Sequence, residues 1–245
     1  MDIVKVLETY RGRDKIIRTC AYLALWAAGD STSNAAVKLR TIFTEFGACR
    51  STLRLFDDLP MLAHNLYYGL GSKESNSLLR ILDLATNLCN QLFYPVEHVA
   101  WLANKKIISA EELKWIFGSL VIWAVSLAFE ILKNIVRIFQ IKRKLHTLYK
   151  QKRLETEEGR NEITEQSELI KTQMYQQKAE MRTSYLTLIQ SLSDFMNAIN
   201  WMPPGFLWAG KLSKARSGMF GTISSLIMLY KVWPAKSMKE KVKGQ

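Results

Sequence analysis

Apolar positions recur with helical spacing along most of the chain, and charges gather in blocks between them. The longest apolar stretch is Trp115 to Leu132 (WIFGSLVIWAVSLAFEIL), with Glu130 as its one charged residue. A run of about eighteen such residues is long enough to be a membrane-spanning candidate. A helix apolar on every face must sit in a core or a bilayer. The helical pattern continues through Lys133–Arg153, which holds eight Lys/Arg and no acidic residue, with Ile135, Ile138, Phe139, Leu145 and Leu148 on its apolar side.

Five other stretches carry the same period. Residues 2–29 read as one helix ending at Gly29, charged in its first part and apolar over Thr19–Gly29, which is too short to span. In 35–56 the positions Ala35, Leu39, Ile42, Phe46, Cys49, Leu53 and Phe56 form one stripe, bordered by Arg40, Arg50 and Arg54 on one side and Lys38 on the other. Its opposite face holds small and hydroxylated residues. Such a helix can lie in a membrane interface, its apolar side in the acyl boundary and its arginines at the headgroups. An ordinary bundle helix is the alternative. Helices at 61–71 and 78–103 flank a polar loop, and from Met181 the series Tyr185, Leu188, Leu192, Phe195 and Ile199 makes a short heptad-like seam ended by Pro203-Pro204.

The last apolar segment, Ser217 to Trp233, contains Gly218, Gly221, Ser224 and Ser225, the small residues that let helices approach closely in a membrane. Trp201, Trp208 and Trp233 flank it as an aromatic belt would. The expected organisation is an N-terminal helical region at 1–112 and an anchor with a basic extension at 113–153. A charged linker and amphipathic helix at 154–204, a C-terminal membrane segment at 205–235 and a basic tail at 236–245 complete it. The fold class is all-α: a helical membrane protein with amphipathic helices and one or two spanning or embedded helices.

A net charge of +12 adds an attraction to polyanions. An anionic membrane is favoured over nucleic acid, because the basic block has no aromatic stacking platform and no nucleic-acid motif. Cys20, Cys49 and Cys89 are odd in number and lack CxxC spacing, which suits reduced thiols. His64 and His98 lack metal-ligand spacing. The early charges of MDIVKVLETYRGRDK do not read as a secretory signal. No nucleophile–base pair, metal cluster or phosphate loop is present in the pattern, so no enzyme, cofactor or metal is expected.

Two terminal motifs carry a resemblance. Tyr10-Arg-Gly12-Arg13-Asp14-Lys15-Ile-Ile-Arg18-Thr-Cys-Ala-Tyr22 resembles the N-terminal signature of the peroxin eleven family of peroxisomal membrane proteins. Gly221-Thr-Ile-Ser224-Ser225-Leu-Ile-Met-Leu-Tyr230-Lys-Val-Trp233 is similar to that family's C-terminal apolar segment. Cys49-Arg50-Ser-Thr-Leu53-Arg54-Leu55 sits where the family has its basic amphipathic helix, with Phe56-Asp57 replacing the usual Gly-Lys. The charge-rich insert at 142–180 is closest to the gamma branch.

The resemblance implies a peroxisomal membrane protein, multi-pass or embedded with cytosolic termini, that promotes elongation and division of peroxisomes. It implies self-association, association with other family members, and recruitment of a fission receptor and a dynamin-like GTPase. Lys38, Leu39, Arg40, Ile42, Phe46, Arg50, Leu53 and Arg54 would then contact anionic lipid. An oligomeric pore for small metabolites and a soluble helical scaffold are the alternatives.

Overall fold

The computed structural model describes residues 2–157 and 165–233, and every regular element among them is an α-helix. In order these are α1 (Asp2–Leu7), α2 (Tyr10–Ala28), α3 (Asn34–Arg54), α4 (Asp58–Tyr68), α5 (Ser77–Asn104), α6 (Glu112–Glu157), α7 (Glu165–Asn200) and α8 (Lys214–Val232). They gather into two compact units, one from the two ends of the chain, up to Phe56 and from Ile199 onward, and one from Asp57–Ala198. The region expected at 1–112 therefore contributes to both. The expected linker around Gly159 and the basic tail at 236–245 lie outside the described residues.

In the first unit the helix expected over 2–29 is broken at Thr9, because Thr9 serves as a cap. Its Oγ1 accepts from the Gly12 amide at 3.0 Å and donates to the Val6 carbonyl at 2.9 Å. An N-cap hydroxyl satisfies one of the orphan amides of a helix start. Gly12 is required at this corner: a Cβ there would run into the Val6 carbonyl oxygen.

α8 lies against α2 by its small residues. A Cβ at Gly218 would meet the Trp26 backbone, and one at Gly221 would meet the Tyr22 ring. Ser217, Thr222, Ser224 and Ser225 are buried beside them. The Asp30 carboxylate, just past α2, accepts from the Lys214 amide at 2.9 Å and so ties the start of α8 to the end of α2.

In the second unit α5 and α6 form an antiparallel pair. Asn104 donates to Glu112 at 2.7 Å at the turn between them. Toward the other end Lys133 of α6 reaches Asp83 of α5 at 3.0 Å. Lys133 also bonds to Glu130, whose second oxygen accepts from Asn134 at 2.9 Å. The one charge inside the apolar stretch is thereby neutralised by neighbours. α4 joins this cluster through Tyr68, whose hydroxyl donates to Asp83 at 3.1 Å.

α7 is longer than the heptad-like pattern indicates, and its buried positions match the expected seam only in part. Ile199 is buried and Met181, Leu188 and Phe195 are half-covered, whereas Tyr185 and Leu192 are exposed. Ile170, Met174, Ser184, Ser191 and Ala198 are buried as well, and the serines among them carry no hydrophobic signal.

Candidate membrane-contact site

α3 carries the apolar stripe and the arginine border, and its setting in the first unit decides what each can reach. Ser33 caps its start by accepting from the Ala36 amide at 3.2 Å. Its contacts to the unit include Ala36, Arg40, Phe43 and Arg50, and the Leu53 carbonyl, which accepts from the Tyr10 hydroxyl at 2.9 Å. Ala36 is buried, and Phe43 tilts against Tyr22 with ring centroids 5.6 Å apart. Arg40 donates to the Ser31 carbonyl at 2.8 Å. Arg50 Nε meets Asp14 Oδ1 at 2.7 Å, and Lys15 takes the other oxygen, also at 2.7 Å.

This ion cluster is largely buried. Burial alone would raise the Asp14 pKa, but Arg50 and Lys15 outweigh it and hold the carboxyl at about 2. Burial, followed by the neighbouring Arg18, lowers the Arg50 pKa from its ordinary value. The Arg18 guanidinium lies 5.3 Å from the Tyr22 ring centroid and 2.7 Å from the Met228 sulfur. Tyr22 also stacks on Trp201 at 6.4 Å.

The residues of the two terminal motifs thus meet in one place. Gly12, Asp14, Lys15, Arg18 and Tyr22 from α2 and Gly221, Ser224 and Ser225 from α8 build the unit's interior or border it. Arg13 is exposed, as are Tyr230 and Trp233 near the end of α8.

The row that packs lies about 100° round α3 from the centre of the apolar stripe, at 3.6 residues per turn. Ile42 and Phe56 are exposed, and Leu39, Phe46 and Leu53 are half-covered. The arginine border therefore faces the protein in part. Arg50 is committed to Asp14, Arg40 to a backbone carbonyl, and Arg54 donates to Ser51 at 3.1 Å. Lys38 remains exposed.

The family model described as "Peroxisomal biogenesis factor 11 (PEX11)" matches residues 1–233. The chain belongs to the PEX11 family. It is 31% identical over 244 residues to human "Peroxisomal membrane protein 11C", covering 97% of this chain and 96% of the relative. Its mouse counterpart of the same name is 32% identical over 231 residues, covering 92% and 90%. No solved structure matches the chain.

In this PEX11 chain, α6 is the one helix among the described residues long and apolar enough to cross a membrane. Only 22% of its most apolar window is buried, so the protein does not supply the covering that such a helix needs. α8 falls short of the same measure, because its buried face is made of Gly, Ser and Thr. Spacing alone does not show the ion cluster at Asp14; it marks the small residues of α8 for close approach, but not α2 as their partner. Both depend on which turns of α2 face α3 and α8.

Proposed function

We propose that this PEX11 protein resides in the peroxisomal membrane and remodels it without catalysing a reaction. α6 anchors the chain, and α3 lies on the membrane surface with its stripe of Leu39, Ile42, Phe46 and Leu53 inserted among the acyl chains. The stripe of α3, exposed at Ile42 and half-covered at Leu39, Phe46 and Leu53, supports this reading best. A helix that keeps its charged row for intramolecular pairs and leaves its apolar row partly open can meet a lipid surface. Insertion in one leaflet expands it and favours curvature, which suits elongation and division of the organelle. Self-association, association with other family members and recruitment of a fission receptor with its dynamin-like GTPase complete the proposal, with both termini in the cytosol.

The test uses full-length protein reconstituted into anionic vesicles and imaged for tubules. Each large apolar side chain withdrawn from water contributes about 1.5–3 kcal/mol, so Ile42→Ser with Phe46→Ser is expected to abolish tubulation. The helix content and carbonate-resistant insertion of the double variant should match the wild type. Tubulation at the wild-type level by this variant would overturn the wedge.

A further inference from the structure

We propose that α5 crosses the membrane together with α6, the two forming a transmembrane hairpin whose outer ends open on the same side. The proposal rests on the reading of α6 as a span. α5 is bonded to α6 at both ends of the apolar stretch, by Asn104–Glu112 at 2.7 Å and by Asp83–Lys133 at 3.0 Å. Between these ties the segments 83–104 and 112–133 have equal length, each rising about 32 Å at 1.5 Å per residue. The hydrocarbon core is about 30 Å thick. A helix fastened to a span at both membrane surfaces and packed along it passes through the same depth.

The hydropathy of α5 hides this because its residues are sorted by face. Leu82, Thr86, Ala100 and Ala103 are buried in the helix pair. Asn87, Asn90, Glu97 and His98 share the face of Asp83 and Gln91, and this is where α4 docks: Asn65 donates to Gln91 at 3.0 Å, and Tyr68 to Asp83. The remaining face presents Leu88 and Leu92, which are 60% and 48% exposed. Polar side chains within membranes turn toward protein, and here the face left for lipid is aliphatic.

Chain topology gives an independent argument. α2 and α8 precede and follow α6 in sequence, yet they pack as one unit, with the Lys214 amide on the Asp30 carboxylate at 2.9 Å. A single crossing by α6 would put Asp30 and Lys214 on opposite sides of the membrane. A hairpin crosses twice and keeps them together. It also leaves the basic Lys133–Arg153 extension at the same membrane surface as the start of α5, where anionic headgroups would hold it.

The experiment is thiol labelling of intact organelles with a membrane-impermeant maleimide. It uses full-length protein whose three native cysteines are replaced by alanine and which carries Glu8→Cys, Lys106→Cys or Lys171→Cys. The hairpin predicts that positions 8 and 171 react alike, and that position 106, in the α5–α6 turn, becomes reactive only once detergent is added. If 106 reacts with 8 while 171 is protected, α6 crosses alone and the hairpin is wrong. Reaction at all three sites without detergent would remove the α6 anchor as well, so the two failures are distinguishable. Epitope tags inserted at the same positions, read by antibody access in the native-cysteine protein, give the same comparison should the cysteine-free background not fold.

Discussion

α3 and α8 are both packed on α2, and they are packed by unlike means. α8 spends a row of Gly, Ser and Thr on the contact, whereas α3 spends an arginine, a phenylalanine and an alanine. In neither helix does the most apolar row do the packing. α8 turns Leu226 and Tyr230 outward, and α3 turns Ile42 outward. In a protein dissolved in water the apolar row would be the one covered, because burial of apolar area is the dominant favourable term. In lipid, packing relies on close approach and on polar pairs. Both seams of the first unit use close approach and polar pairs.

The comparison breaks first at Gly221. Gly221→Leu places a side chain where the Tyr22 ring already sits. Overpacking of a fitted contact costs about 1–3 kcal/mol and occasionally more. Since the ring also stacks on Trp201 and cannot retreat freely, the loss is expected at the upper end, about 3 kcal/mol. Thermal unfolding in detergent, followed by circular dichroism, would show it. An unchanged midpoint would mean that α8 does not approach α2 this closely.

On the α3 seam, Arg50→Met leaves Asp14 buried with Lys15 as its remaining cation and is expected to cost about 2–3 kcal/mol, below the full range for breaking a buried pair. The pH dependence gives the sign. The Asp14 carboxyl titrates at about 2 in the folded chain against an ordinary value of 3.8. The folded pKa is the lower one, so the stabilisation is present above pH 4 and is lost as pH falls from about 4 toward 2, amounting to about 2 kcal/mol after allowing for solvent screening. Unfolding midpoints of the wild type and Asp14→Asn should converge across that window. Parallel curves would show that the pair contributes no net stability. A smaller effect belongs to the corner before α2, where Thr9→Ala removes the cap and should cost about 1 kcal/mol in the same assay.

The helices themselves are legible in the sequence, because their apolar positions recur every three or four residues and Gly29 marks an end. The family was legible from Gly12 to Tyr22 and from Gly221 to Trp233. What could not be read was which row of each helix meets protein. The stripe of α3 was visible, but that Arg50 faces inward depends on Asp14, 36 residues earlier in the chain. The seam of α7 is legible only in part, at Ile199, because Ser184 and Ser191 occupy buried positions without hydrophobic signal. The break at Thr9 was missed because the charges of 2–18 looked continuous, and only the hydroxyl's two bonds reveal the corner.

The smallest predicted effect has the opposite sign and again sets α3 against α8. Gly47 lies in the middle of α3, near the row that packs on α2, yet a Cβ added there would meet nothing within 4 Å. The α2–α3 contact is therefore open at its centre and held at Phe43 and Arg50 on either side. Glycine inside a helix costs about 0.5–1 kcal/mol relative to alanine, because the unfolded chain loses more conformational freedom on folding. With no clash to offset that gain, Gly47→Ala should raise the unfolding midpoint by about that energy, whereas Gly221→Ala should lower it. Tubulation by Gly47→Ala should stay at the wild-type level, since the stripe proposed to enter the membrane is untouched. Destabilisation by Gly47→Ala would instead place α3 as close to α2 as α8 is, and the contrast between the two seams would be lost.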